Sequence, residues 1–162
     1  MIRAGIEDKN HIVDILSNSF DDNKSVNYII QQDAKRKRRI RELMAYSVDI
    51  CSLFGDVFLS DNKKGCALVL LPDKKKTTLH SIILDVKLAT SAIGVSNIKK
   101  AVNREASINK IHPDGLIYYL WFIGVDRREQ GNGIGSRLLN DLIDEGISQK
   151  RTICLETSTI KN

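Results

Sequence analysis

No stretch of this 162-residue chain is long and apolar enough to span a membrane, and its first residues, Met1-Ile2-Arg3-Ala4-Gly5, lack the apolar run of a signal peptide. Cysteine is scarce: Cys51, Cys66 and Cys154 stand far apart, odd in number and without metal-ligand spacing. That usage points away from a metal centre and a disulfide framework, and toward reduced thiols in a cytoplasmic protein. Low-complexity segments and internal repeats are also missing, so the natural reading is one domain over residues 1–162. Neither sign of charge dominates. Against 20 acidic side chains stand 25 Lys and Arg, a formal net charge of +5. That mild excess suits a polyanionic small ligand and does not require nucleic acid. With 42% hydrophobic residues, the chain has enough apolar material for a core.

What is present centres on residues 116–138. Leu116 to Val125 is an apolar, aromatic and β-branched run with the composition of a buried strand. A polar turn follows from Asp126 to Gln130, then three glycines at alternate positions, Gly131, Gly133 and Gly135. Ile134, Leu138, Leu139, Leu142, Ile143 and Ile147 then recur at helical spacing. A strand, a glycine-rich turn and a helix make an anion site. Glycine lets the backbone approach a ligand, the first helical amides have no partner in their own helix, and the helix dipole adds positive potential. The plainer reading, a turn needing glycine for its own geometry, would be met by one glycine.

Two phosphate loops fit poorly. A Walker A loop needs Lys-Ser/Thr after its last glycine, where this chain has Ser136-Arg137. A dinucleotide fingerprint needs its third glycine one residue later, and the six residues after Glu156 cannot complete that fold. Gln130-Gly131-Asn132-Gly133-Ile134-Gly135 instead resembles the acetyl-CoA motif Gln/Arg-x-x-Gly-x-Gly/Ala of the GNAT superfamily of N-acetyltransferases. Val125, five residues before Gln130, and the continuation Ser136-Arg137-Leu138-Leu139 match as well, and Leu155-Glu156-Thr157-Ser158 with Asn162 looks like the family's fifth strand and following asparagine. The motifs cover about residues 116–162; earlier residues agree in element order only.

The resemblance implies an α/β fold with a mixed, mostly antiparallel sheet, a splayed central strand and flanking helices. It implies acetyl-CoA as cosubstrate and no metal. Carried over by position, backbone groups of Phe122, Ile123 and Val125 would meet the thioester and pantetheine. Gln130, Gly131, Asn132, Gly133, Ile134, Gly135 and Ser136 would hold the pyrophosphate, and Asn162 would touch the pantetheine.

The rest of the chain reads as helices and strands around that unit. Residues 2–6 suggest a first strand, and Asp8 can cap a helix whose apolar face is Ile12, Val13, Leu16 and Phe20. A second helical stretch is expected over 25–32, and a long helix carries Ile40, Leu43, Met44, Val48 and Cys51 as far as Gly55. Its opening, Lys35-Arg36-Lys37-Arg38-Arg39-Ile40-Arg41, reads as a solvated helix face. The sharper alternative, a nucleic-acid patch, lacks interleaved aromatic residues. A hairpin over 56–71 and helices over 77–94 and 96–110 follow. The segment 77–112 is a candidate acceptor-side region, with His80 and His112 as surface or packed residues rather than catalytic ones.

Amine attack on a thioester needs a base for the amine proton and an acid for the leaving thiolate. Residues 116–125 hold no carboxylate. Asp126, Glu129 and Glu156 are the nearest, each with a duller role as turn, loop or strand-end residue, so no base follows from the sequence. The family's usual acid is a tyrosine beyond the position of Asn162; Tyr118 and Tyr119 do not match it, and Trp121 reads as packing or lining the slot rather than reacting. The domain is therefore expected to be C-terminally incomplete, with a continuing chain or a homo-oligomer covering the last strand. Three functions remain in view: acetyl transfer to an amine of a small molecule or peptide, CoA binding without catalysis, and binding of nucleic acid through the basic run.

Overall fold

In the computed structural model, which describes residues 1–157, five strands form one sheet in the order β1 (Ile2–Arg3), β2 (Gly55–Leu59), β3 (Gly65–Leu70), β4 (Ile117–Val125) and β5 (Thr152–Leu155). All neighbours are antiparallel except β4 and β5, which run parallel. Three helices precede β2: α1 (Lys9–Ser19), α2 (Lys24–Ile29) and α3 (Arg36–Phe54). Two more, α4 (Leu79–Leu88) and α5 (Ile98–Ile111), lie between β3 and β4, and α6 (Ile134–Ser148) joins β4 to β5.

The sheet is covered on both faces, and β3 shows why its sequence is apolar throughout. Cys66, Leu68 and Leu70 pack with Ile12, Leu16, Met44 and Val48 of α1 and α3. Ala67 and Val69 alternate to the other face, beside Tyr118, Leu120 and Leu142 of α6. Alternation breaks once on β4. Leu68 pairs with Phe122 while the adjacent Val69 pairs with Leu120, so Trp121 is an extra, bulged residue. Tyr119, Trp121 and Phe122 consequently all meet the α1/α3 core, where a regular strand would turn Phe122 away.

The helices after β3 depart from the sequence expectation. Leu79, Ile82, Ile83 and Val86 of α4 and Val102 and Ile111 of α5 are exposed. Only Ser81 and Leu84 are buried on α4, and no residue on α5. Their apolar spacing is real, but α4 reaches the core through Leu84 and Leu88 while the rest of its apolar face stays open, and α5 buries no residue.

The basic run is also less uniform than a solvated face. Arg36 bonds the Asp21 carboxylate at 2.8 Å, the Asp21 carbonyl, and Asn27 Oδ1 at 2.8 Å. Arg39 pairs with Asp33 at 2.7 Å and donates to the Ser91 carbonyl at 3.0 Å, tying α3 to the turn after α4. Lys37 and Arg38 alone among residues 36–39 are exposed. Replacing Lys37 and Arg38 by glutamine is therefore expected to leave thermal unfolding unchanged. Arg36→Gln, which strips three hydrogen bonds, should cost about 1 kcal/mol or more, a fall in Tm of roughly 2–4 °C for a chain of this size. Equal melting temperatures for the two variants would refute that division.

Candidate active site

The site starts from a mismatch in strand length. β5 pairs with β4 only from Ile117↔Thr152 to Leu120↔Leu155, and β4 runs on to Val125. Beyond Leu120 the edge facing β5 has no strand partner among the described residues, and a cleft of about 960 Å³ lies there. Its walls include Trp121, Ile123, Gly124 and Val125 of β4, Phe20 and Asn23 between α1 and α2, Gly135, Ser136 and Leu139 of α6, and Leu155, Glu156 and Thr157.

The hydrogen bonds decide which backbone groups face that cleft. Asp126 donates its N–H to the Lys64 carbonyl at 2.8 Å. Alternation along an antiparallel strand then turns Gly124 and Phe122 toward β3, and Ile123 and Val125 toward the open edge. Phe122 is thus the exception among the expected β4 contacts, because its backbone belongs to the β3 ladder. The Val125 carbonyl is already taken by Ser19 Oγ at 2.9 Å and by the Gln130 side-chain amide at 3.4 Å. The groups left to a ligand are the N–H and C=O of Ile123 and the N–H of Val125.

At the far end lies the glycine turn. Gly131 (φ 84°) and Gly133 (φ 74°) occupy the left-handed region, so the path of the chain itself explains them. Gly135 is different. It lies within α6, and a Cβ there would meet only Val125 Cγ2 at 3.5 Å, ordinary contact. Neither strain nor crowding requires glycine at this position, yet it lines the cleft. A helix leaves its first N–H groups without internal partners, and the first closing bond here runs from Arg137 N–H to the Gly133 carbonyl. The amides of Ile134, Gly135 and Ser136 are therefore available at the cleft's end. Ile134 brings a free amide to the same helix start, but its side chain is buried and it is not in the cleft wall. Asn132 bonds Glu129 at 3.3 Å and, with Gly131, stays outside the cleft wall. Lys24 and Arg127 add positive charge to the walls. Asn162 lies outside the described residues.

Near the mouth of the cleft the fold gathers side chains distant in sequence. Tyr119 Oη donates to Glu156 Oε1 at 2.6 Å, and Arg104 of α5 reaches Glu156 Oε2 at 3.3 Å. The Glu156 side chain is 26% exposed and lines the cleft. Burial, with the Glu156 carboxylate beside it, raises the Tyr119 pKa, so Tyr119 remains a proton donor at neutral pH. The His112 ring meets Tyr119 edge-on at 5.0 Å, and its Nε2 is buried without a partner among the described residues. His80 is exposed. Sequence reading missed Arg104: nothing local links an arginine in the middle of α5 to a carboxylate 52 residues later.

Burial holds the Cys51 and Cys66 thiols protonated, Cys66 pushed up to about 12 and Cys51 higher, and the Cys154 thiol is also raised. None is set up as a nucleophile. No group of three or more His, Cys, Asp or Glu side chains is placed to hold a metal ion among the described residues.

A family model for the acetyltransferase (GNAT) family matches residues 80–160, half of the chain. The chain belongs to the GNAT acetyltransferase family. That family uses acetyl-CoA, and the matched segment carries α5, β4, the glycine turn, α6 and β5. Among solved structures, this GNAT chain is similar to the crystal structure of "histone acetyltransferase HPA2 and related acetyltransferase" from Corynebacterium glutamicum. The TM-score is 0.68 at 21% identity, over 96% of this chain and 74% of that one. That likeness is one of fold. No curated protein matches the chain in sequence.

Proposed function

We propose that this GNAT protein transfers the acetyl group of acetyl-CoA to an amine of a small molecule or peptide by direct attack. The observation that carries the reading is a cleft with β4 backbone unpaired among the described residues at one end and free α6 amides around Gly135 at the other. The chain's residues suit that cosubstrate. The N–H of Val125 and the N–H and C=O of Ile123 would bind the pantetheine amides and thioester oxygen. Amides of Ile134 to Ser136 would hold the pyrophosphate, with Arg127 as a counter-charge.

Bound acetyl-CoA supplies an activated acyl carbon: the new C–N bond forms, the C–S bond breaks, and sulfur leaves with the electron pair as a thiolate that takes up one proton. A simple alkyl ammonium, with pKa about 10.4, must first lose a proton. We assign that proton to Glu156, the carboxylate at the cleft mouth, oriented by Tyr119 and Arg104. The other carboxylate in the wall, Asp22, is 89% exposed and directed to Arg127. The buried, protonated thiols favour direct attack over an acyl-cysteine intermediate.

The test is thiol release from acetyl-CoA across a panel of amines, with mass spectrometry of the products. Release matched by N-acetylated product supports the proposal. CoA binding without release on any amine would replace it with the second reading, a CoA-binding module that does not catalyse.

A further inference from the structure

Beside the cleft lies a second concavity of about 410 Å³, between α2 and α5. Lys24, Ser25 and Tyr28 line it from α2, and Lys100, Asn103 and Arg104 from α5. No acidic side chain is in its wall. Neither Lys24 nor Lys100 has a carboxylate partner among the described residues, whereas Lys9, Arg36, Arg39, Lys63 and Arg151 each do. The Lys100 ammonium sits over the Tyr28 ring, 5.8 Å from its centre, and Tyr28 is 56% exposed, an aromatic surface left open to solvent.

The groove connects to the chemistry through shared residues. Arg104 lines it and also binds Glu156. Ser25 and Arg104 also line a small pocket of about 100 Å³ that holds Tyr119, Trp121 and Glu156. Lys24 lines both the groove and the cleft. A molecule lying along this path meets a carboxylate at its inner end and uncompensated ammonium groups at its outer end.

We propose that the acceptor is an amine carrying an anionic group, a carboxylate or a phosphate. Lys100 and Lys24 hold the anion in the groove, Tyr28 packs on the connecting chain, and the amine reaches Glu156. Unpaired cations facing a concavity are worth more to an anion than the same charges on an open face, because its low-dielectric walls focus their field. Arg104, tied to Glu156, sets the boundary between the two ends. The inference deepens the transfer reading above and rests on it for the amine end only.

Lys100 is the discriminating residue, because it lines the groove and not the cleft. It is exposed, so its replacement leaves the core intact. Matched acceptors are compared: O-phosphoethanolamine with ethanolamine, and β-alanine with propylamine. The expected result is a kcat/KM at least tenfold higher for one of the anionic members over its neutral partner. The phosphate and carboxylate arms show which anion fits. Lys100→Glu should remove that preference, while CoA affinity stays within twofold of the parent. Equal use of charged and neutral acceptors, or a preference that survives Lys100→Glu, overturns the proposal. A parallel loss of CoA affinity also overturns it, by assigning the groove to CoA instead. If no amine is acetylated, the transfer reading fails and binding still decides this one. Saturable shifts of the Tyr28 ring signals with O-phosphoethanolamine, absent with ethanolamine and in Lys100→Glu, support the groove; their absence in the parent protein overturns it.

Discussion

Gly135→Val is expected to lower CoA affinity by well over tenfold, about 1.4 kcal/mol or more, with no loss of thermal stability. The two halves of that result have separate causes. Glycine costs a helix roughly 0.5–1 kcal/mol relative to alanine, and a Cβ at residue 135 meets only an ordinary contact with Val125. The fold alone would therefore accept a Cβ here. On the proposed reading the ligand would not, because residue 135 forms the cleft wall where free amides would approach a diphosphate. Gly135→Ala supplies the milder member of the series, expected to be as stable as the parent or slightly more so, and already weaker for CoA. Calorimetric titration with CoA and a melting curve measure both quantities on the same samples. Undiminished CoA binding in a well-folded Gly135→Val protein would remove this loop from the site. NADH should not displace CoA, since the glycine spacing does not suit a dinucleotide fingerprint. Gly131 and Gly133 make poorer tests, since their positive φ mixes backbone strain with any effect on the ligand.

The contrast among these glycines shows which parts of the molecule were legible in its sequence. The unit from Ile117 to Ser148 was readable because each of its signals is local: an apolar run, a turn, alternate glycines, then a helical period. Ile134, Leu138 and Leu142 are buried as that period demands. The bulge at Trp121 left no trace, because β4 is apolar on both faces and a run without alternation cannot reveal where alternation reverses. The basic run at 35–41 was misleading for a related reason. Its partners Asp21 and Asp33 lie before the helix, so a one-dimensional reading sees unbalanced charge where the fold has ion pairs. Glu156 was visible only as one of three carboxylates near the motif. What singles it out is contact with Tyr119 and Arg104, 37 and 52 residues away, which the sheet order and the α5 connection create.

That contact sets up the second large effect. Glu156→Gln is expected to lower kcat by roughly 100-fold or more at neutral pH, the scale of a positioned general base, with CoA affinity unchanged within twofold. The substitution keeps the shape of the side chain, and its amide oxygen can still accept from Tyr119, while the contact of the second oxygen with Arg104 is given up. What is lost is the capacity to take a proton from an ammonium group. The deficit should therefore depend on pH in a way a structural defect would not. As pH rises toward the acceptor's own pKa, more amine arrives already deprotonated, and the variant should gain on the parent protein. Tyr119→Phe provides the companion measurement. It removes the donor that orients Glu156 while leaving the carboxylate in place, so the fall in kcat should be smaller and should persist at high pH. Steady-state rates from pH 6 to 10 with one acceptor, all three proteins side by side, give the comparison. A Glu156→Gln protein with parental kcat, or with a deficit constant across that range, would return the proton-accepting role to solvent and leave Glu156 as an anchor for Arg104.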